Sequence, residues 1–235
     1  MKSGIVKNML ELRRGGFYWI DKTPYLSVTT VLGIIDKPAL RYWFGKEVYQ
    51  AMLVDPTMDE RTALAKPYET SDSAKERGST VHSLVEAYKN TKKPIENIPS
   101  QYAKYASAFY DFMSTHDIKV IANEKSVKSD DYQIAGTLDM FATIGDKSFL
   151  IDVKTGKDIY QEAGLQLSAY AQMMKETGQA LDEIAVLLLE TGKDGLPTGK
   201  YKFQTMEEDF DAFLGAKALY EYINKEKLIK VGYYK

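Results

Sequence analysis

The spacing of apolar and polar positions changes several times along this chain, and each change predicts a new element. Phe17-Tyr18-Trp19-Ile20, the turn-rich Asp21-Lys22-Thr23-Pro24 and the apolar stretch from Leu26 to Ile35 predict a small hairpin leading into a helix. After Lys37-Pro38, the positions of Leu40, Trp43, Phe44, Val48 and Met52 follow a helical period, and Pro56 closes that helix. Ser73-Ala74-Lys75-Glu76 has the form of a capping box, so a helix is predicted from Ala74 to about Tyr88, with His82 and Glu86 one turn apart. Gly78 lies inside it, where glycine costs roughly 1 kcal/mol relative to alanine, so close backbone packing or a ligand is expected to need the space. Tyr105, Phe109 and Phe112 mark the core side of a helix over 100–115, and a strand is predicted over 118–128.

A hairpin comes next. Ala135 to Ile144 runs into Gly145-Asp146 and then into Lys147 to Lys154, a strand, a two-residue turn signal and a second strand. Counting outward from the turn places Asp139 opposite Asp152 and Thr137 opposite Lys154. Alternation puts Asp152 and Lys154 on one face, with Ile151 and Val153 on the other. Gly156 ends the strand. A helix over about 160–177 carries Leu165, Ala169 and Met173 on one side and Gln166 and Tyr170 one turn apart; Glu183 to Leu189 reads as a buried strand, Lys200 to Gln204 as an edge strand, and Glu207 to about Lys227 as a last helix. The order predicts an α/β fold, a central mixed β-sheet flanked by helices, with a helical N-terminal extension.

At 235 residues, 44% hydrophobic and 27% charged, the chain has the makeup of one soluble domain, and the cytosol is the expected location, with no membrane association. The absence of cysteine excludes disulfides, thiolate metal sites, iron–sulfur clusters and a cysteine nucleophile, leaving oxygen or imidazole to hold any metal. A formal net charge of −2 lacks the footprint of a general polyanion binder. A local groove containing Lys89, Lys92, Lys93, Lys125 and Lys128 could still carry phosphate contacts within a neutral total, although each is equally well read as solvated surface.

Two carboxylates facing each other across a hairpin have Cβ atoms about 5 Å apart and repel, so a positive partner is expected between them. Asp139, Asp152 and Lys154 suit metal-assisted phosphodiester hydrolysis. Carboxylates hold Mg²⁺ or Mn²⁺, the ion polarises a phosphoryl oxygen and acidifies a water, and the lysine positions that water or balances charge. Either one ion or a pair would serve. The bland alternative is a solvent-facing hairpin with a diagonal ion pair of little worth. His82 alone, or Gln166 and Tyr170 alone, are ordinary helix residues.

Taken in series, the motifs are more specific. Arg77-Gly78-Ser79-Thr80-Val81-His82, Gly136-Thr137-Leu138-Asp139, Asp152-Val153-Lys154-Thr155-Gly156 and Gln166-Leu167-Ser168-Ala169-Tyr170 resemble, in order and spacing, the PD-(D/E)XK nuclease superfamily and its RecB-type nuclease branch. The leading Ser27 to Leu32, with Leu40 and Trp43, is similar to mitochondrial genome-maintenance and phage-encoded exonucleases. The resemblance implies a restriction-endonuclease-like core over 73–190, preceded by an extension over 1–72 and followed by a strand and helix over 191–235. It also implies that His82, Asp139, Asp152 and the Val153 carbonyl ligate the metal, with either Glu86 or Glu124 as a further acid. Lys154 would handle the attacking water, and Gln166 and Tyr170 would brace the lysine and contact DNA. Some members of the branch clamp their ends with an iron–sulfur cluster; this chain, lacking cysteine, is expected to close them by packing of Trp19, Trp43 and the last helix.

The function implied is a Mg²⁺- or Mn²⁺-dependent DNA exonuclease acting on single-stranded ends or flaps in replication, recombination or repair, with proteins of those processes as possible partners. Two rivals stand beside it: an endonuclease on the same scaffold, and an inactive module that only binds DNA or a partner protein.

Overall fold

A computed structural model of the chain describes residues 13–91 and 98–234. Short strands Arg13–Arg14 (β1), Phe17–Ile20 (β2) and Thr23–Ser27 (β3) lead into helix Val28–Leu32 (α1). Helices Pro38–Val54 (α2), Glu60–Thr91 (α3) and Ala103–Thr115 (α4) follow, then strands Ile118–Ser129 (β4), Ile134–Ile144 (β5) and Lys147–Gly156 (β6). Helix Glu162–Glu176 (α5), strands Glu183–Thr191 (β7) and Pro197–Met206 (β8), and helices Phe210–Ile223 (α6) and Lys225–Lys230 (α7) complete the chain.

The strands form one mixed sheet in the order β1-β2-β3-β5-β6-β7-β8, with β4 on the remaining edge of β5. β3 runs parallel to β5 and β6 parallel to β7, whereas β4–β5, β5–β6 and β7–β8 are antiparallel. One face packs on α1, α5, α6 and α7 through residues such as Val31, Leu167, Met173, Phe213 and Leu228. The other packs on α3 and α4 through Val85, Tyr105, Phe109 and Phe112, against Ile151, Val153 and Leu187. The predicted α/β sandwich with a mixed sheet is the observed one. No helix among the described residues is long and apolar enough to cross a membrane.

The strand that carries Asp139 is where the sheet opens. β4 covers one edge of β5 over nearly its whole length, from Ser129↔Ile134 to Ile118↔Ile144. The other edge is shared: β3 pairs only with Ile134 and Ala135, and β6 only with Met140 to Ile144. Between them, Gly136 to Asp139 have no strand beside them, so β5 faces a fork. The hairpin turn holds the predicted register, with Ile144↔Lys147 next to it and Gly145 at φ +58°. Positive φ at the first central residue alone is the type II′ pattern, which glycine adopts without Cβ strain. The ladder stops at Met140↔Ile151, however, one step short of Asp139 and Asp152. Thr137 pairs with Ser126 of β4 and Lys154 with Leu188 of β7, so the expected Thr137–Lys154 pair does not form.

Several other expectations are corrected. The third helix starts at Glu60, not Ala74, and runs through Pro67. Because residues 74–77 already lie within the helix, no orphan N–H groups remain there for a capping box to satisfy. Gly78 has no protein atom within 4 Å of a built Cβ, so close packing does not account for it. α2 shows the predicted period yet buries none of its residues; Leu40 and Met52 are exposed, and its main contact is with α3, where Phe44 and Tyr68 meet edge to face at 5.1 Å. The last helix is two, broken at Asn224, and β8 is longer than expected. The predicted small hairpin leading into a helix forms as β2–β3 and α1, and β3 joins it to the central sheet through β5. They meet the C-terminal segment through Phe17 and Tyr233, 6.4 Å apart, while Trp43 takes no part in that closure. Of the predicted basic groove, Lys92, Lys93 and the Lys89 side chain lie outside the described residues, and Lys128 is paired with Asp130 at 2.6 Å.

Candidate metal centre

Three neighbouring strands each bring one acid to the fork. Asn123↔Met140 and Lys125↔Leu138 bracket Glu124 opposite Asp139 on one side, and continuation of the hairpin register brings Asp152 up on the other. Glu124 itself has φ +44°, a left-handed conformation that costs a non-glycine residue of order 1 kcal/mol or more and that interrupts the pairing at that position. α3 lies over β4, anchored there by the bond from Asn123 Nδ2 to the Val85 carbonyl at 2.8 Å. One turn earlier on α3, His82 Nδ1 stands 3.2 Å from Glu124 Oε1 and 3.5 Å from Asp139 Oδ1. One ligand atom from each of His82, Glu124 and Asp139 lies within 4.8 Å of the others. Glu86, the other candidate acid, is exposed and lies outside this group.

Asp139 and Asp152 are both buried, 7% and 2% exposed. Asp139 Oδ2 accepts from the Val153 amide at 2.7 Å, so where the ladder ends a side chain takes over from a backbone carbonyl. In an extended strand, a residue's N–H and C=O leave by the same edge, which turns the Val153 carbonyl toward the fork as well. Asp152 Oδ1 accepts from Lys154 Nζ at 2.8 Å and from Gln166 Nε2 at 2.9 Å. Its second oxygen, Oδ2, is buried with no hydrogen-bond partner. Such an orphan costs about 1–3 kcal/mol unless something positive satisfies it.

Electrostatics point the same way. Burial, with the charge of Asp152 adding to it, pushes Asp139 up to about 7. Burial works against a charged His82, but the bond to Glu124 and the field of Asp139 outweigh it and push the imidazole up to about 9. Lys154 is also held above its ordinary range, the charges of Asp152 and Asp139 prevailing over burial. Protons therefore take up the excess negative charge of the fork. A hard divalent cation is the other species that could do so, and the donor set suits one: oxygens from Glu124, Asp139 and Asp152 plus a single imidazole.

Gln166 reaches the centre by bonding to Asp152, and it is Asp152 that bonds to the lysine. Tyr170 is 4% exposed, and a Cβ built on Gly136 would lie 2.4 Å from its Cε1, so the ring packs on the face of β5 at Gly136. Its buried position differs from the DNA-facing one expected from the resemblance. Missed altogether by pattern reading is a cleft of about 360 Å³ that begins at Lys154 and Gln166 and runs past Thr29, Lys37 and Tyr160. Its walls come from the end of β6, the loop that follows it and α5 on one side and from the distant α1 on the other, a meeting that no local signal announces.

No family model matches the chain, and no curated protein matches it either. Among solved structures it is similar to a provisionally assigned exonuclease from Eubacterium rectale, 14% identical, with 90% of this chain and 83% of that one covered and a TM-score of 0.45. An alkaline exonuclease from Laribacter hongkongensis is also similar, at 15% identity over 82% of this chain and 100% of that one, with a TM-score of 0.32.

Proposed function

We propose that the chain is a metal-dependent nuclease that hydrolyses phosphodiester bonds at DNA ends, as a Mg²⁺- or Mn²⁺-dependent exonuclease of the RecB-type branch. The observation that carries this reading is the fork itself, where His82, Glu124 and Asp139 cluster beside an Asp152 whose Oδ2 is buried and unpartnered. His82, Glu124, Asp139, Asp152 and the Val153 carbonyl would hold the ion. When bound, such an ion supplies Lewis-acid polarisation of a phosphoryl oxygen and acidifies a water.

The chain's own groups divide the remaining work. Lys154, 41% exposed at its side chain and tied to Asp152, presents its ammonium to the attacking water and to charge developing on the phosphate. Gln166 fixes the Asp152 carboxylate so that Oδ1 is committed to the protein and Oδ2 is left for the ion. The Val153 amide likewise orients Asp139. A module that only binds DNA gains nothing from buried acids that repel phosphate, so the arrangement favours turnover.

The test is a time course on end-labelled single- and double-stranded DNA with Mg²⁺, Mn²⁺ or excess chelator. Metal-dependent release of nucleotides from ends, lost in Asp152→Ala and Lys154→Ala variants that melt as the wild type does, is the expected result. Cutting of closed circular DNA would favour an endonuclease, and DNA affinity without turnover a binding module. Undiminished activity in chelator, or in either variant, overturns the proposal.

A further inference from the structure

The cleft that starts at Lys154 does not end at Tyr160. A second depression of about 550 Å³ shares Lys37, Tyr160 and Glu162 with it and continues to Pro38, Leu40 and Trp43 on α2. The two form one trough from Lys154 to the exposed side of α2. Tyr160 is 57% exposed and Trp43 half-buried, and neither ring is paired with another among the described residues. The charges along the whole trough cancel: Lys37, Lys154 and Lys157 against Asp36, Asp158 and Glu162. Lys37 and Glu162 are bonded across it at 2.8 Å.

A track for a duplex, or for a phosphate backbone, should carry an excess of positive charge, because affinity for backbone comes from displaced counterions. A neutral, largely apolar trough with free aromatic faces suits the bases of an unpaired strand, each of which offers a π face for stacking. We infer that this trough seats the unpaired bases of a single DNA strand, with Tyr160 and Trp43 as stacking platforms, and leads that strand to Lys154. The inference deepens the nuclease reading and rests on it for the direction of travel, while the stacking itself can be measured without any cleavage.

The exposed α2 surface beside the trough, with Tyr42 and Tyr49 outward, could instead meet an apolar protein segment. Continuity with the centre and the pairing of aromatic rings with a balanced charge favour the nucleic-acid strand.

The experiment uses the full chain carrying Trp19→Phe, held in excess chelator, with a dT oligonucleotide as probe. Trp19 packs on the core with its Nε1 buried and unbonded, so its removal loses no hydrogen bond and leaves Trp43 as the one fluorophore of its kind. Expected is quenching of Trp43 by the oligonucleotide, at least tenfold weaker binding of a duplex of equal length, and little loss of affinity between low and physiological salt. Tyr160→Ala should weaken dT binding about tenfold and Tyr160→Phe should restore it, since a stacked ring is retained. Unchanged affinity for a dye-labelled dT oligonucleotide, read by anisotropy in both Tyr160→Ala and Trp43→Ala, or equal quenching by duplex with a steep salt dependence, overturns the inference. Quenching in a protein that no metal makes active upholds the trough and removes the nuclease reading; metal-dependent cleavage without quenching does the reverse.

Discussion

Metal binding at the fork should depend steeply on pH, because the ion must displace protons that the empty charge cluster holds. His82 is held at about 9, so at pH 7 only about one molecule in a hundred has the neutral imidazole a metal needs. The apparent association constant at pH 7 is then about 100-fold below its high-pH limit, or about 2.7 kcal/mol at 1.36 kcal/mol per pH unit. The sign follows from competition: His82 is protonated below 9, so affinity rises tenfold per pH unit from 7 toward 9 and levels off above. Below 7, Asp139, held at about 7, is protonated too, and the slope steepens to two protons per ion. Calorimetric titration with Mn²⁺ under argon, in buffers of different ionisation heat, should count about one proton released per ion at pH 8. In His82→Ala the limiting affinity falls and the slope between 8 and 9 shrinks to the part that Asp139 contributes. Wild-type affinity that does not vary over this range, or an undiminished slope in His82→Ala, refutes the assignment of the proton to His82.

Gly136→Ala should drive a methyl group into the Tyr170 ring, whose Cε1 would lie 2.4 Å away, and overpacking of this kind costs about 1–3 kcal/mol. For a chain of this size the melting temperature should fall by about 2–12 °C, with partial recovery in a Gly136→Ala/Tyr170→Leu double variant; an unchanged melting curve in Gly136→Ala contradicts the packing. Gln166→Ala removes the 2.9 Å bond that orients Asp152, so kcat should drop about 10–100-fold with the fold intact, and activity within twofold of wild type would deny Gln166 a positioning role. Glu124→Gln should weaken Mn²⁺ binding by at least tenfold while the exposed Glu86→Gln changes it little; the opposite ranking in a titration would place the ion on the wrong side of α3.

Much of this centre could be read from local patterns, because its parts obey local rules. The two-residue turn at Gly145-Asp146 fixes the hairpin register, and alternation then puts Ile151 and Val153 into the core and Asp152 and Lys154 on the opposite face. Helical spacing likewise brings Gln166 and Tyr170 to one side of α5. What local rules did not reveal depends on partners distant in sequence. The ladder ends at Met140 because β3, more than a hundred residues earlier, occupies the near end of the same β5 edge, and nothing around Asp139 encodes that competition. Sequence alone does not separate Glu124 from Glu86; the left-handed turn at Glu124 and the crossing of α3 over β4 bring Glu124 beside His82. The spacing along α2 predicts a helix, but a helical period specifies a face and not what covers it; here the main contact is with α3.

The proposed nuclease reading requires that His82, Glu124 and Asp139, with Asp152 beside them, hold a divalent ion next to Lys154. Crystals soaked in Mn²⁺ and measured for anomalous scattering test it most directly. A peak is expected within coordinating distance of His82, Glu124, Asp139 and Asp152 Oδ2, absent in Asp139→Asn crystals. Density at another location, or an empty fork in a protein that still cleaves DNA with Mn²⁺, would contradict it.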